Sequence, residues 1–202
     1  SYAVNVGSDG PFTGMCSFLG YALFFKEGWI HKLYGTKPAD FQLTSTLARG
    51  VEQGAWRTLC QVDDTLYYKG VDGVYAYDGS LPVRVSWDWD EAARKGLSAE
   101  DKGRYVICVQ AAAGDCELLV YDPARGLWHR EDGLQVRHMA RADKETWMAD
   151  SAEQVLIRGL QTSLCRRGLN WIASRIANAA KTPTNERINL VARLIAQRRF
   201  FY

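Results

Sequence analysis

An acidic cluster flanked by tryptophans is the feature of this 202-residue chain that comes closest to a catalytic or binding motif. It consists of Trp87, Asp88, Trp89, Asp90 and Glu91. Paired carboxylates carry out the proton transfers of glycoside hydrolysis, and indole rings pack against sugar rings. The favoured alternative is structural, because Asp90 and Glu91 in the first turn of a helix would interact well with the helix dipole. Sugar binding or cleavage at this cluster is therefore the secondary hypothesis.

Other catalytic and metal-binding patterns are not evident in the sequence. His31, His129 and His138 belong to no HExxH motif, and none lies four residues from another His or from a Cys. Neither a GxSxG nucleophile elbow nor a P-loop is present. Acidic pairs such as Asp63-Asp64 lack the alternating pattern of a calcium loop and are typical of turns. We expect no catalytic residue, no cofactor and no bound metal.

The five cysteines form no CxxC pair, and their odd number argues against a disulfide framework. Cys108 and Cys116 flank a predicted turn and could face each other across a hairpin, but two small buried thiols are the favoured interpretation. A reducing compartment fits this cysteine usage best. The sequence has no apolar run of about 18 residues, so we expect no membrane span.

A weak internal repeat organises most of the chain. Each copy has an apolar or aromatic strand, a turn rich in Gly or Asp, and a second strand. The copies are residues 21–35, 65–79, 104–122 and a degraded fourth at 145–160. Equivalent positions lie roughly 40 residues apart, which is typical of propeller blades. We therefore predict a mainly β fold of repeated antiparallel hairpins, propeller-like and either partial or a fragment.

The repeat predicts hairpin turns at about residues 26–28, 71–73 and 113–115. The strongest signal is Asp72-Gly73 between two apolar runs, because this dipeptide favours the tight turns that join antiparallel strands. The other two turns rest on glycine and acidic residues at the equivalent places.

Further elements are predicted after the hairpins. Residues 41–46 and 82–87 alternate between apolar and polar side chains, which indicates an additional strand in each unit. Residues 88–96 resemble a short helix that ends at Gly96, and Ser98 is a candidate N-cap for another turn.

The composition changes near residue 163, which divides the chain into a repeat domain at 1–162 and a tail at 163–202. The tail has eight Arg and Lys residues against one Glu, a net charge of +7, whereas residues 1–162 carry −5. An acidic body with a basic tail indicates that the tail contacts something acidic.

The tail is predicted to form two short amphipathic α-helices, the second of which begins at Thr182-Pro183. We expect its apolar stripes to dock on a partner or on the body, through Ile172, Ile176, Ile188, Val191, Leu194 and Ile195. Nucleic acid is a less favoured partner, because the tail has no aromatic ladder for stacking bases. A membrane surface ranks third.

Three phrases within residues 14–86 carry a family resemblance. They are FFKEGWIHKLYGTKPADFQLTST, RGVEQGAWRTLCQVDDTLYYKGVDGVYAYDG and LPVRVS. Together they resemble the propeller part of neck or tail hub proteins of tailed bacteriophages, which are often labelled minor structural or stabilisation proteins. The tail at 163–202 does not share this resemblance.

The resemblance implies a non-catalytic structural or assembly component of a phage virion. Such a protein is assembled in the cytoplasm of the bacterial host with copies of itself and with other virion proteins. The alternative, from the acidic cluster, is a carbohydrate-binding or carbohydrate-cleaving propeller protein such as a lectin or a tail depolymerase. Four repeat copies scarcely suffice for a closed propeller, so we expect either a fragment of a larger ring or a partner that completes it.

The tail yields a prediction that separates its candidate partners. Leu194→Asp should disrupt assembly or solubility more than the combined changes Arg198→Ala and Arg199→Ala, because helices this short fold only when their apolar faces are buried. Apolar docking is nearly insensitive to moderate salt, whereas phosphate contacts weaken steeply as salt increases. Solubility and assembly of both variants at low and high salt provide the measurement. A larger effect of the arginine pair, abolished by salt, would indicate nucleic acid.

Overall fold

A computed structural model describes residues 6–86, 95–110, 116–131, 134–142, 145–150 and 155–159, and the structural statements below concern these residues. They form a mainly β fold of four antiparallel sheets, in which strands adjacent in sequence are also adjacent in space. The predicted mainly β class is therefore confirmed. The predicted helical tail and the boundary at residue 163 lie outside the described residues and remain predictions.

Each sheet is a simple meander of successive strands. The first sheet contains β1 (Gly14–Phe18), β2 (Tyr21–Lys26), β3 (Trp29–Tyr34) and β4 (Gln42–Leu47). The second contains β5 (Cys60–Val62), β6 (Thr65–Gly70), β7 (Gly73–Tyr77) and β8 (Val83–Arg84). The third contains β9 (Lys95–Asp101), β10 (Arg104–Gln110), β11 (Cys116–Asp122) and β12 (Leu127–Glu131). The fourth contains β13 (Val136–Ala142), β14 (Glu145–Asp150) and β15 (Val155–Arg158).

The hairpins of the repeat are present in the structure. Strands β2 and β3 pair around a turn at Glu27 and Gly28, and β6 and β7 pair around Val71 and Asp72. The third predicted turn falls within residues 111–115, which lie outside the described residues, but β10 and β11 on either side of it pair in antiparallel. The predicted strand at 41–46 corresponds to β4. Of the strand predicted at 82–87, only Val83–Arg84 forms a strand, β8, and residue 87 lies outside the described residues.

Strand β9 corrects two helical predictions. Gly96 and Ser98 lie within this strand and do not end a helix or cap a turn; residues 88–94 of the predicted helix lie outside the described residues. The Ser98 hydroxyl donates a hydrogen bond to the Thr58 carbonyl at 2.9 Å, so a contact between sheets replaces the cap. At Gly96 a Cβ atom would lie only 3.0 Å from the Thr58 methyl group, so this close packing favours glycine.

The first and second sheets stack face to face through one apolar cluster. The first sheet contributes Phe18, Leu23, Phe25 and Ile30, and the second contributes Leu66, Tyr68, Tyr75 and Tyr77. The rings of Phe25 and Tyr68 lie 5.2 Å apart between their centroids.

A separate cluster joins the opposite face of the second sheet to the third sheet. It contains Val62, Tyr67, Val74, Tyr105, Ile107, Val109, Leu119 and Tyr121. Neighbouring residues of a strand point to opposite faces, so Tyr67 and Tyr68 enter different clusters. The second sheet is consequently buried on both sides.

Thr58, in the turn Trp56–Thr58, links the second and third sheets through hydrogen bonds. Its carbonyl accepts from the hydroxyls of Tyr105 and Ser98, each at 2.9 Å. Its hydroxyl accepts from the backbone N–H of Lys69 at 2.9 Å and donates to the Ala55 carbonyl at 2.7 Å. Thr58 is fully buried, and its carbonyl and hydroxyl groups both have hydrogen-bond partners.

The fourth sheet contacts the third sheet around Glu100 on β9. The Thr146 hydroxyl donates to the Glu100 carbonyl, and the Arg141 guanidinium pairs with the Glu100 carboxylate. A second contact between these sheets joins Cys108 on β10 to Val136 on β13: the Cys108 sulfur lies 3.3 Å from the Val136 carbonyl oxygen. The sheets thus stack in the order in which they occur along the chain.

A disulfide joins Cys108 on β10 to Cys116 on β11. Cys116 lies opposite Gln110, so the two cysteines are diagonal neighbours on one face, with Cα atoms 6.2 Å apart. The favoured interpretation of two free thiols is therefore wrong. With this pair oxidised, cysteine usage no longer favours a reducing compartment.

A buried ion pair holds the chain segment that follows β4 against the second sheet. Lys69 on β6 donates from Nζ to the Glu52 carboxylate, and the two side chains are only 2% and 10% exposed. The backbone N–H of Glu52 also donates to the Lys69 carbonyl at 3.1 Å. The chain segment after β4 is therefore held against β6 by both backbone and side chain.

We expect Lys69→Met or Glu52→Gln alone to lower the free energy of unfolding by about 3–5 kcal/mol, because each leaves a buried charge without its partner. The double variant should recover much of this loss. Arg125→Met is the control, since the Arg125 side chain is 75% exposed and its pair with Asp122 contributes at most about 1 kcal/mol. Urea unfolding of the four variants is the measurement. Single variants no less stable than the control would contradict the prediction.

Candidate interaction surface

The first sheet has one face that the second sheet does not cover. Phe25 and Ile30 point toward the second sheet, so the residues alternating with them point away from it. Cross-strand pairing aligns these residues in rows, such as Met15, Phe24, His31 and Ser45. Ser17, Ala22 and Lys26 lie on the same side. We define the outer face by its remaining members: Met15, Phe24, Trp29, His31, Leu33, Leu43, Ser45 and Leu47.

The outer face is apolar and partly exposed to solvent. Met15 and Leu47, at its two edges, are each 73% exposed, and the neighbouring Phe12 is 52% exposed. Scattered apolar residues are common on protein surfaces, but these lie together on one sheet face. Several apolar side chains exposed on one sheet face are typical of sites of interaction with other proteins.

A segment before β1, residues 6–13, lies along this face. Lys26 donates from Nζ to the Ser8 carbonyl at 2.6 Å. The Phe12 ring packs edge-on against Phe24, with centroids 6.0 Å apart, and the Lys26 ammonium lies over the Phe12 ring. Thr13 then pairs with β2 through its backbone N–H, which donates to the Phe25 carbonyl at 2.7 Å.

His31 is fully buried at the centre of the outer face. Its Nδ1 lies 2.8 Å from the Ser45 hydroxyl and its Nε2 lies 3.1 Å from the Ser8 hydroxyl. The Trp29 ring lies parallel to the imidazole. Burial lowers the pKa of His31, and the nearby Lys26 ammonium lowers it further. The fold therefore favours the neutral imidazole, which donates through one nitrogen and accepts through the other.

The contacts of His31 serve to hold residues 6–13 on the outer face rather than to activate a nucleophile. A serine hydroxyl on an imidazole is the pairing that activates nucleophiles, but there a third group normally orients the base. Here the second nitrogen of His31 contacts another hydroxyl, that of Ser45. The imidazole thus connects Ser8 in the segment to Ser45 on β4. Within the described residues, no group of three or more His, Cys, Asp and Glu side chains could hold a metal ion.

The residues predicted from sequence to form sites lie elsewhere in the chain. Trp87, Asp88, Trp89, Asp90 and Glu91 lie outside the described residues, as do the apolar residues of the tail. Sequence reasoning treated His31 as an ordinary strand residue and missed the outer face. The alternation in residues 41–46 was a usable signal, since it places Leu43 and Ser45 on the same side of β4.

Comparisons with known proteins do not assign the chain to a family: no protein-family model matches it, and no curated protein is significantly similar to it. The part of the chain that the structure describes contains no helix long and apolar enough to cross a membrane.

The buried imidazole predicts how stability depends on pH. Unfolding exposes His31 and restores its pKa to about 6.5, so below that pH the unfolded chain binds a proton more readily than the folded chain. The free energy of unfolding should therefore fall as the pH decreases through 6.5 toward the folded pKa. Urea unfolding at pH 7.5 and 5.5 should show a larger loss for the wild type than for His31→Gln. Equal losses would contradict this.

Proposed function

We propose that the chain is a non-catalytic structural or assembly component of a phage particle, located in its neck or tail. It acts through contacts with other virion proteins and with copies of itself. The observation that carries the proposal is the outer face, an apolar and partly exposed surface suited to a protein partner. The phrases within residues 14–86 that resemble phage neck and tail proteins are the reason for proposing a phage particle.

The spacing and order of the four described sheets support a propeller-like fold, and with it this proposal. The second strands of the four sheets begin at Tyr21, Thr65, Arg104 and Glu145, which are roughly 40 residues apart, as in propeller blades. Each sheet is a meander that stacks on the next, as blades do. A β scaffold of this kind presents sheet faces whose backbone is expected to move little on binding.

The chemistry of the outer face also favours a protein partner. Methionine and aromatic residues are enriched at the cores of protein interfaces, and charged residues are depleted there. Met15, Phe24 and Trp29 match this composition, and the Lys26 side chain beside them is buried. The hydroxyl and imidazole groups at the centre already have partners within the chain, so covering the face leaves few polar groups to desolvate.

The proposal predicts that the chain is incorporated into virions through the outer face. In a phage that encodes it, the double variant Met15→Glu and Leu47→Glu should be depleted from purified virions at least about tenfold, because burying two carboxylates in an apolar contact costs several kcal/mol. Leu81→Glu is the matched control, since Leu81 is 61% exposed and does not belong to the outer face. Quantitative mass spectrometry of gradient-purified virions is the measurement.

Two results would count against the proposal. A wild-type chain found only in the soluble fraction of lysates that contain intact virions would exclude the assignment to the particle. Equal incorporation of the double variant and the Leu81→Glu control would exclude the outer face as the contact surface.

A further inference from the structure

The centre of the outer face is buried, whereas its edges are exposed. His31 and its neighbour Lys26 are 0% and 5% exposed, but Met15, in the same cross-strand row as His31, is 73% exposed. The second sheet packs on the opposite face of the first and does not account for this burial. The groups that contact His31 and Lys26 from outside the sheet belong to Ser8 and Phe12. A short stretch of chain ahead of β1 therefore covers the centre of the face.

We define the strap as residues 6–13. Its last residue, Thr13, is buried and donates from its backbone N–H to the Phe25 carbonyl of β2. Among the described residues, no other backbone hydrogen bond joins the strap to the sheet, and side chains hold the rest of it. Segments with few such bonds open locally while the remainder of a protein stays folded. The strap can therefore open with Thr13 as its anchor.

The closed strap confines two groups that can carry positive charge. The Lys26 ammonium has the Ser8 carbonyl and the Phe12 ring as partners. Among the described residues, neither Lys26 nor His31 forms an ion pair with a carboxylate. The strap's one carboxylate, Asp9, belongs to an exposed residue. A second charge beside Lys26 is consequently unfavourable while the strap is closed.

Every element around His31 contributes to this environment, but only one contributes a charge. The side chains that face the imidazole are Lys26 from β2, Trp29 from β3, Ser45 from β4, and Ser8 and Phe12 from the strap. Of these, only Lys26 is charged, and its sign is the same as that of a protonated imidazole.

Opening of the strap is consequently linked to protonation of His31. In the closed state, burial and then the Lys26 ammonium lower the pKa of His31. In the open state the imidazole meets water, and its pKa returns toward about 6.5. The open state therefore binds a proton more readily, and acid shifts the equilibrium toward it. Between pH 7.5 and 5.5 the ratio of open to closed strap can rise by up to about tenfold.

We propose that the strap is a proton-operated cover of the outer face, closed at neutral pH and open at mildly acidic pH. Opening removes Phe12 from Phe24 and exposes Phe24 and His31 to a protein partner. This inference rests on the proposed function only in taking the outer face as a protein contact, and it adds how that contact is regulated. Strap and partner compete for the same surface, so acid should strengthen docking.

Fluorine NMR of the whole chain with 4-fluorophenylalanine in place of Phe12 measures the opening directly. The ratio of solvent-exposed to packed ring should rise by about three- to tenfold from pH 7.5 to 5.5. In His31→Gln the ratio should not change with pH, because the amide does not titrate. The same label in place of Phe41, which is 40% exposed and lies outside the strap, is the control. Urea unfolding at both pH values establishes that each protein is folded.

A reciprocal measurement keeps the test decisive if His31→Gln does not fold. Histidine NMR titration should give a pKa for His31 below 6.5 in the wild type and one closer to 6.5 in Phe12→Ala, which weakens the strap. Phe12 is 52% exposed, so its truncation leaves the core of the first sheet intact. Leu127→Ala, at an exposed position of the third sheet, should leave the pKa of His31 unchanged.

Three results would overturn the proposal. The first is a label at position 12 whose exposed fraction is the same at both pH values. The second is an equal change with pH in the wild type and in a folded His31→Gln variant. The third is an equal pKa of His31 in the wild type and in Phe12→Ala.

The outcomes also distinguish this inference from the proposed function. A strap that opens in acid, on a chain that is absent from virions, refutes the phage assignment alone. A chain that enters virions through the outer face, with a strap that does not respond to pH, refutes the proton-operated cover alone.

Discussion

The second sheet is apolar on both of its faces, and the remaining sheets are arranged so as to cover it. Nearly every residue of β6 and β7 is buried, so these strands cannot face water on either side. Consecutive tyrosines, Tyr67 and Tyr68, enter different clusters and so tie the second sheet to both neighbours. Burial of apolar surface is the main favourable term in folding, and here it requires at least three layers.

Polar groups inside the stack are satisfied by partners from neighbouring sheets, which fixes how the sheets are placed on one another. The Tyr105 hydroxyl reaches the Thr58 carbonyl, and the Tyr68 hydroxyl donates to the Arg49 carbonyl at 2.7 Å. Apolar packing alone tolerates small slips between layers, whereas a buried hydrogen bond or ion pair is costly to break. The pair of Lys69 and Glu52 acts in the same way between β6 and the segment that follows β4.

The hairpins could be predicted from sequence because their signals are local, as at Asp72-Gly73. The first strand of each sheet could not: β5 has only three residues, and β9, with the sequence KGLSAED, is too polar to show an apolar alternation. Both form because a neighbouring strand pairs with them, which is a tertiary effect. The outer face could not be predicted from local sequence patterns for a similar reason. Ser8, His31 and Ser45 are far apart in sequence and meet only once β3 and β4 have paired.

The order of the sheets in space is also the order in which a ribosome makes them. Each sheet is complete before the next emerges, so most pairing is between near neighbours in sequence, and folding can advance layer by layer. Until the next layer arrives, however, the newest sheet exposes an apolar face to the cell. A chain whose synthesis stops early would therefore expose the apolar face of its last sheet. Such truncated products are expected to aggregate or to bind chaperones.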